Sequence, residues 1–309
     1  MEIHIQNENI GERLDIFVFN TLKDKSISRN IVQKYLKQGC LVNGKESKRG
    51  YKLKEGDIVS IDEKYWDNLT NTLDLSDDIK PQKGNLDIRY EDNECIVLYK
   101  PKGLVVHPGV GNTQNTLSNY LRYYLESKNE YDVLMDRAGI VHRIDKGVSG
   151  LMVVAKNKRM QEYLKSQFKK REVVKIYHAY LEESTNIQQF REYKKYIQQM
   201  DTKLQPWSTW QRVEGYIGRD KLNRKMMDFR SYEFTGSRKA ISYFLFSKNE
   251  VLVKIETGRM HQIRVTLKHM GYHIKGDKVY GKGKGEEIML ESVLLSFKDM
   301  SGKQLTFTT

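Results

Sequence analysis

The chain has 309 residues, a formal net charge of +13 and a hydrophobic fraction of 39%. This apolar share can form a buried core, so the composition excludes a chain disordered throughout, and the length suits about two domains. The two cysteines, Cys40 and Cys95, form no CxxC pair, which argues against a disulfide framework or a cysteine zinc site and fits a reducing compartment. The N-terminus has no basic flank before an apolar stretch, and no apolar run is long enough for a membrane span. We therefore expect a soluble, cytoplasmic protein without a membrane partner.

The positive charge is unevenly distributed along the chain. Residues 21–54 include ten basic and two acidic residues, 66–95 include three basic and eight acidic residues, and 96–309 include 38 basic and 22 acidic residues. Concentrated positive charge attracts polyphosphate through counterion release, so this pattern indicates a nucleic-acid partner. A solvated basic surface has the same composition, and charge alone leaves both interpretations open.

Residues 1–65 predict a small unit of helices and short strands. A helix is expected from an N-cap at Ser28 to about Gln38, with Gly39 in the cap position after it. Turns at 43–44 and 55–56 are each expected to join a pair of strands. The basic side chains of this unit that we expect to contact RNA are Arg29, Lys34, Lys37 and Lys45. A basic unit of this shape can also contact protein, so that alternative stays open.

The acidic segment 66–87 has little periodicity and contains Pro81 and Gly84, so we expect a linker there. From residue 88 to 309, short apolar strands alternate with helical stretches at irregular spacing. This pattern favours an α+β domain, with a central mixed, mainly antiparallel sheet flanked by helices, over a regularly wound βαβ fold. The runs that carry the pattern include ECIVLYKP (94–101), SGLMVVAKN (149–157) and RMQEYLKSQFKK (159–170).

The run AGIVHRIDKGVSGLMVVAKN (138–157) contains the carboxylate with the clearest chemical context. Asp145 stands between Arg143 and Lys146, just before a glycine-containing bend and an apolar strand. Two neighbouring cations favour the ionised carboxylate. An ionised, positioned aspartate is suited to nucleophilic or electrostatic work on a sugar carbon as a C–N or C–O bond breaks. An ordinary surface salt bridge is the alternative.

A second polar run, ETGRMHQIRVTLKHMGYHIKGDKVYG, occupies 256–281. Its Arg264 can form a bidentate pair with a carboxylate or a phosphate. His269 and His273 are four residues apart, as in some helical metal sites. However, no HExxH pattern is present and Gly271 interrupts a continuous helix, so we expect no metal site.

Two further runs contain candidate functional side chains. YKPKGLVVHPGVG (99–111) predicts a strand followed by a loop that contains His107. KIYHAYLEE (175–183) predicts a strand that contains Tyr177. A tyrosine can stack on a base and can accept or donate a proton, although a half-buried core tyrosine is the ordinary alternative.

Taken together, four runs of the sequence resemble the motifs of the RluA-type pseudouridine synthases, in the same order. They are KPKGLVVHPG (100–109), HRIDKGVSGLMVVAKN (142–157), KIYHAYLE (175–182) and GRMHQIRVTLKHMGYHIKGDKVYG (258–281). The N-terminal stretches that resemble the S4 RNA-binding domain are RLDIFVFNTL (13–22), SRNIVQKYLKQGCLVNGK (28–45) and KLKEGDIV (52–59). The resemblance covers roughly 13–66 and 86–300.

The resemblance implies that the protein isomerises uridine to pseudouridine in a structured RNA, and closeness to the RluC/RluD type implies 23S ribosomal RNA. Asp145 would be the nucleophile, Tyr177 would stack on the base and assist proton removal at C5, and Arg264 would hold Asp145. Arg143 would fill the space left by the flipped uridine, since a stacked base cannot present its glycosidic carbon to a carboxylate. The other implied substrate contacts are His107, His142 and Ile263. The reaction is an isomerisation, so neither a metal nor a cofactor is expected, nor an obligate protein partner.

The sequence departs from the usual family pattern at Ile144, Val148, Met260, Thr266 and Glu291, and its polar region at 184–213 is longer than usual. The resemblance leaves open whether Asp145 attacks the sugar or the base. An inactive RNA-binding or ribosome-assembly factor on the same fold is one alternative. A glycosidase or nucleosidase is another, but it needs a second acid that is not evident beside HRIDK.

Overall fold

The computed structural model divides into two compact units, Met1–Asp78 and Ile79–Thr309. The residues that it describes are 1–22, 27, 29–72, 79–109, 111–182, 209–223, 225–283 and 287–309. No helix among them is both long enough and apolar enough to cross a bilayer.

The N-terminal unit packs three helices against a small antiparallel sheet of strand order β1–β3–β2. Its elements are β1 (Glu2–His4), α1 (Leu14–Thr21), α2 (Arg29–Gly39), β2 (Cys40–Val42), β3 (Ile58–Ile61) and α3 (Glu63–Thr72). Val18 of α1, Val32 of α2, Val59 of β3 and Trp66 of α3 are fully buried and form one core. Each element therefore buries one face in a shared interior.

Helix α2 lies where the sequence predicts it, but Gly39 has a different role from the one expected. Gly39 is the last helical residue, and an added Cβ would lie 2.5 Å from a ring carbon of Trp66. Glycine is therefore needed here because the indole approaches closely, and not because the backbone adopts a left-handed cap conformation. The predicted N-cap, Ser28, lies outside the described residues. The turn at 55–56 is present, but the strand after it pairs with β1 and β2 instead of closing a hairpin.

The predicted boundaries of the linker, 66 and 87, are both wrong, because each end belongs to a folded unit. Trp66 lies inside α3, is fully buried, and donates its indole N–H to the Gly39 carbonyl at 2.9 Å. At the other end, Ile79 is buried in the core of the larger unit, and the Lys80 carbonyl accepts a hydrogen bond from Asn119 at 2.7 Å. An acidic segment with little periodicity predicts irregular chain, whereas a few buried apolar side chains suffice to hold both ends.

We predict that Gly39→Ala destabilises the N-terminal unit by about 1–3 kcal/mol, the usual cost of overpacking a well-filled core. The added methyl group would overlap the indole of Trp66, so either the ring or helix α2 must move. Hydrogen exchange of the peptides that cover α2 and α3 measures this effect. Gly50→Ala is the matched control, because nothing lies within 4 Å of a Cβ at that position. Equal exchange in both variants would contradict the prediction.

The larger unit is built on a ten-stranded sheet of order β4–β5–β6–β12–β7–β11–β10–β8–β9, with β13 paired to β12. Its strands are β4 (Asp87–Glu91), β5 (Cys95–Lys100), β6 (Ser149–Ala155), β7 (Val174–Tyr180), β8 (Gln211–Arg219), β9 (Met227–Arg230), β10 (Arg238–Ser247), β11 (Glu250–Ile255), β12 (Leu290–Lys298) and β13 (Gln304–Thr308). Among the described pairings β6–β12 is parallel and the others are antiparallel. The predicted α+β class with a mixed, mainly antiparallel sheet is confirmed.

Three helices of the larger unit are α4 (Leu117–Ser127), α5 (Lys158–Lys170) and α6 (Gln262–His269). Strand β6 is buried along its whole length, because strands flank it and the core covers it. Gly150 of β6 has φ +123°, and a Cβ there would lie 2.4 Å from the backbone nitrogen of Ser292. This close approach anchors the start of β6, immediately after the HRIDK loop, on strand β12. The predicted long region at 184–213 lies mostly outside the described residues.

Candidate active site

The loop that carries Asp145 is held by backbone hydrogen bonds and by one buried lysine. Val148 donates its N–H to the carbonyl of Asp145 at 3.0 Å, and Gly103 donates to the carbonyl of Lys146 at 2.8 Å. The fully buried ammonium of Lys100 donates to the carbonyl of Leu104 at 2.9 Å and lies 3.4 Å from that of Lys146. The KPKG segment and the HRIDK segment are thereby fastened together.

Burial lowers the pKa of Lys100 to about 8, against the opposing attraction of Asp145. The folded-state pKa therefore lies below the ordinary value of 10.5, and burying the charged form opposes folding at neutral pH. That penalty disappears as pH rises from about 8 to 10.5. We predict that wild type gains stability relative to Lys100→Met over this interval. Urea denaturation of both proteins at pH 7.5 and pH 10 measures it, and a constant difference between them would contradict the prediction.

Asp145 and Arg264 meet although they are 119 residues apart. Arg264 projects from α6, and its Nη1 lies 3.3 Å from Oδ2 of Asp145. Its other nitrogens form a bidentate pair with Asp277, at 2.8 Å from Nε to Oδ2 and 2.7 Å from Nη2 to Oδ1. Asp277 is 1% exposed. Burial opposes its ionisation, but the hydrogen bonds and charge of Arg264 outweigh burial and lower the pKa of Asp277.

A histidine approaches the same oxygen of Asp145. His261 Nε2 lies 3.8 Å from Oδ2, beyond hydrogen-bond length, while His261 Nδ1 lies 2.9 Å from the hydroxyl of Tyr280. Arg264 and His261 thus both face Oδ2. Among the described residues, Oδ1 accepts no hydrogen bond, and the carboxylate remains 26% exposed. Oδ1 is therefore the oxygen that is available to react.

Tyr177 lies on β7 and is buried in the main core. Burial and the negative charge of Asp145 raise its pKa, while a hydrogen bond with Ser292 on the neighbouring β12 opposes the rise. The phenol therefore keeps its proton at neutral pH. Asp145 and Arg264, predicted from separate runs, are thus in contact, and Tyr177 is close enough for the charge of Asp145 to act on it.

The other predicted substrate contacts have different surroundings. Arg143 is exposed in the Asp145 loop. His107 is partly buried in the loop after β5, with Nδ1 3.2 Å from the Pro108 carbonyl. Ile263 is buried in the main core.

The ring of His142, predicted to contact the substrate, has partners within the protein. Its Nε2 accepts the backbone N–H of Val153 at 3.0 Å, and its ring stacks on Phe168 at 4.9 Å between centroids. Burial, with a smaller effect from Lys175, lowers the pKa of His142 to about 3. The ring is therefore neutral and supports β6 and α5, and its contact with substrate stays a prediction.

The predicted RNA contacts of the N-terminal unit lie on its surface where they are described. Lys34, Lys37 and Lys45 are exposed, and Lys37 lies 3.8 Å from Glu46. Arg29 lies at the start of α2, but its side chain is outside the described residues.

The two histidines considered for a metal site have other partners. His269 packs on Phe229 at 4.6 Å, and His273 Nδ1 lies 2.7 Å from the carbonyl oxygen of Tyr280. Within the described ranges, no three His, Cys, Asp or Glu side chains are grouped so as to bind a metal ion.

Sequence reasoning missed four residues of the site: Lys100, His261, Asp277 and Tyr280. All four lie in the quoted runs, but their roles depend on contacts rather than on the pattern of the runs themselves. Asp277 follows Arg264 by 13 positions, and only the turn after α6 brings them together. A carboxylate in the GDKVYG stretch near a functional arginine was the available signal.

Comparison with known proteins agrees with this geometry. The family described as RNA pseudouridylate synthase matches residues 94–269. An uncharacterized RNA pseudouridine synthase of Bacillus subtilis, YlyB, is 33% identical over 290 residues, covering 92% of this chain and 84% of the relative. Ribosomal large subunit pseudouridine synthase D of Yersinia pestis is also 33% identical, over 90% of this chain and 75% of the relative.

A solved structure shows the same fold at lower sequence identity. Human RNA pseudouridylate synthase domain containing 1 aligns with a TM-score of 0.52 and 21% identity, over 74% of this chain and 85% of the human one. The order of the motifs, the contact between Asp145 and Arg264 and the extent of the sequence matches lead to one assignment. The chain belongs to the RNA pseudouridylate synthase family.

Proposed function

We propose that this pseudouridine synthase modifies uridines in large-subunit ribosomal RNA and that Asp145 is its nucleophile. The observation that carries the proposal is the partly exposed Asp145 carboxylate, held at Oδ2 by Arg264 with Tyr177 buried beside it. Relatives named for the large ribosomal subunit, from Yersinia pestis and Escherichia coli, support the class of RNA.

The reaction breaks the bond from C1′ to N1, turns the uracil, and joins C1′ to C5, with loss of the C5 proton and gain of one at N1. Asp145 forms the transient bond to the substrate, at either the sugar or the base. Arg264 keeps the carboxylate oriented, because its own position is fixed by two hydrogen bonds to Asp277.

Tyr177 has a narrower role than the family resemblance implies. Its raised pKa keeps the phenol protonated in the free protein, so it is a weak base there. We propose that its ring supports the flipped uracil. The phenol must lose its own proton before it can accept one from the base. Arg143 is exposed in the same loop as Asp145, and we propose that it fills the space that the flipped uridine leaves in the RNA.

The N-terminal unit is proposed to bind RNA as an S4-like unit. Exposed lysines on α2 and on the loop after β2, Lys34, Lys37 and Lys45, supply positive charge beside the polyphosphate backbone. Contacts of this kind give affinity without sequence specificity, so they would hold the RNA while the larger unit selects the uridine.

The test is tritium release from C5-labelled uridine, using transcripts of 23S ribosomal RNA, 16S ribosomal RNA and transfer RNA. We expect release from the 23S transcript only, and mapping in cells with and without the gene identifies the positions. Release from transfer RNA alone would overturn the substrate class. Binding of the 23S transcript without release, by wild-type protein, would instead indicate an inactive RNA-binding factor.

A further inference from the structure

Beside Asp145, His261 and Tyr280 form a hydrogen-bonded pair to which the proposed reaction assigns no role. His261 precedes helix α6 with φ +56°, a left-handed conformation that few residues adopt without a reason. This conformation points the ring into the site, with Nδ1 2.9 Å from the Tyr280 hydroxyl and Nε2 3.8 Å from Asp145 Oδ2. The ring therefore lies between a buried phenol and the reactive carboxylate, hydrogen-bonded to the phenol alone.

The direction of the hydrogen bond between the two residues follows from the surroundings of Tyr280. Its oxygen already accepts the backbone N–H of Met227 at 2.7 Å. Burial raises the pKa of Tyr280 to about 12, so the phenol keeps its proton. The guanidinium of Arg264 lies over the ring face at 5.1 Å, which fixes the plane of the ring. The single phenol proton is therefore available to His261 Nδ1.

His261 itself is neutral at physiological pH. Burial lowers its pKa, Asp145 and Asp277 raise it, and Arg264 and Arg219 lower it, with a net decrease. A neutral imidazole that accepts at Nδ1 carries its proton on Nε2. The N–H of His261 thus faces Oδ2 of Asp145.

We infer that His261 is a positioning residue that donates Nε2–H to Oδ2 of Asp145 in the RNA-bound enzyme, so that Oδ1 is the attacking oxygen. This inference rests on the proposed role of Asp145. The distance of 3.8 Å is too long for a hydrogen bond in the free protein, and such bonds commonly shorten when substrate binds. Arg264 and His261 then hold Oδ2 from two sides, and rotation of the carboxylate is blocked.

The test replaces the ring without straining the backbone. Glycine adopts φ +56° freely, so His261→Gly leaves a cavity between Tyr280 and Asp145. We expect the single-turnover rate constant of tritium release to fall about 10- to 100-fold, which corresponds to the loss of a hydrogen bond to a charged group. The Kd for RNA should be unchanged. His261→Asn, which also tolerates the left-handed backbone but does not span the gap, should lose the same amount.

Added imidazole decides between positioning and packing. Imidazole can accept from Tyr280 and donate to Asp145, whereas neutral 1-methylimidazole fills the same space and can only accept. We expect imidazole to restore the activity of His261→Gly and 1-methylimidazole to leave it low. Equal rescue by both compounds, or full activity of the unrescued variant, would overturn the inference. Imidazole should not rescue Asp145→Asn.

A measurement that needs no turnover separates this inference from the proposed function. Nitrogen chemical shifts of labelled His261 in the wild-type protein should show a protonated Nε2 and a bare Nδ1. In Tyr280→Phe, which lacks the donor, this preference should be lost. A protonated Nδ1 in wild type would refute the inference even if the enzyme is active. The expected shifts in a protein that modifies no RNA would refute the proposed function alone.

Discussion

Asp145→Asn is expected to abolish pseudouridine formation while leaving RNA binding intact. The substitution preserves the size of the side chain and removes its charge and its nucleophilic oxygen. We expect the rate of tritium release to fall by more than about 10³-fold, as when a nucleophile is removed from other enzymes. The fold should be retained, because Arg264 keeps its two hydrogen bonds to Asp277.

RNA affinity is the second measurement for this variant. Affinity for RNA comes mainly from lysine and arginine contacts with phosphates, so the Kd should be unchanged or slightly lower once a negative charge is removed. Asp87→Asn is the matched control, since Asp87 is exposed on β4 and pairs with Arg89 on the surface. It should release tritium at the wild-type rate. Undiminished release by Asp145→Asn would remove Asp145 from the mechanism.

Asp277→Asn is expected to have the largest effect on stability. The change leaves Arg264, which is 10% exposed, without its bidentate partner. Loss of one member of a buried ion pair costs roughly 3–5 kcal/mol, and we expect the lower end, about 3 kcal/mol, because asparagine keeps one acceptor oxygen. Activity should fall as well, about 10- to 100-fold, because a misplaced Arg264 no longer orients Asp145. Urea denaturation and tritium release measure the two effects.

The difference in stability between wild type and Asp277→Asn should decrease at low pH. The folded-state pKa of Asp277 is lowered from the ordinary value of 3.8, so its stabilising contribution is complete above that value and is lost as pH falls through the folded pKa. The gap in stability between wild type and Asp277→Asn should therefore narrow below about pH 3.8. Asp228→Asn, which breaks a more exposed pair with Arg230 at 2.8 Å, should cost less than about 1 kcal/mol throughout. A similar loss in both variants would argue against a special role for Asp277.

Much of the fold can be predicted because its elements have strong local patterns. The apolar run at 149–155 forms β6, and the amphipathic run after Asn157 forms α5, capped by the Asn157 side chain, which accepts from Met160. The linker could not be placed in the same way. Its ends are set by Trp66 and Ile79, single buried residues whose partners, such as Gly39 and the core of the larger unit, lie elsewhere in the chain.

His142 shows the same limit within the site. Its place in HRIDK suggests a substrate contact, but its ring stacks on Phe168 of α5 and binds the backbone of β6. The direction of a side chain within an irregular loop depends on what packs against that loop. Sequence periodicity carries no information on direction where the backbone is neither helix nor strand.

Ordered motifs and short-range periodicity are local properties, so they suffice to predict a pseudouridine synthase of α+β class with Asp145 as its candidate nucleophile. Which groups meet at that carboxylate depends on contacts between distant parts of the chain. Arg264 reaches it from 119 positions away, steadied by Asp277, and His261 faces the same oxygen. Such contacts follow from the order of strands in the sheet and from the packing of α6, where residues far apart in the chain become neighbours.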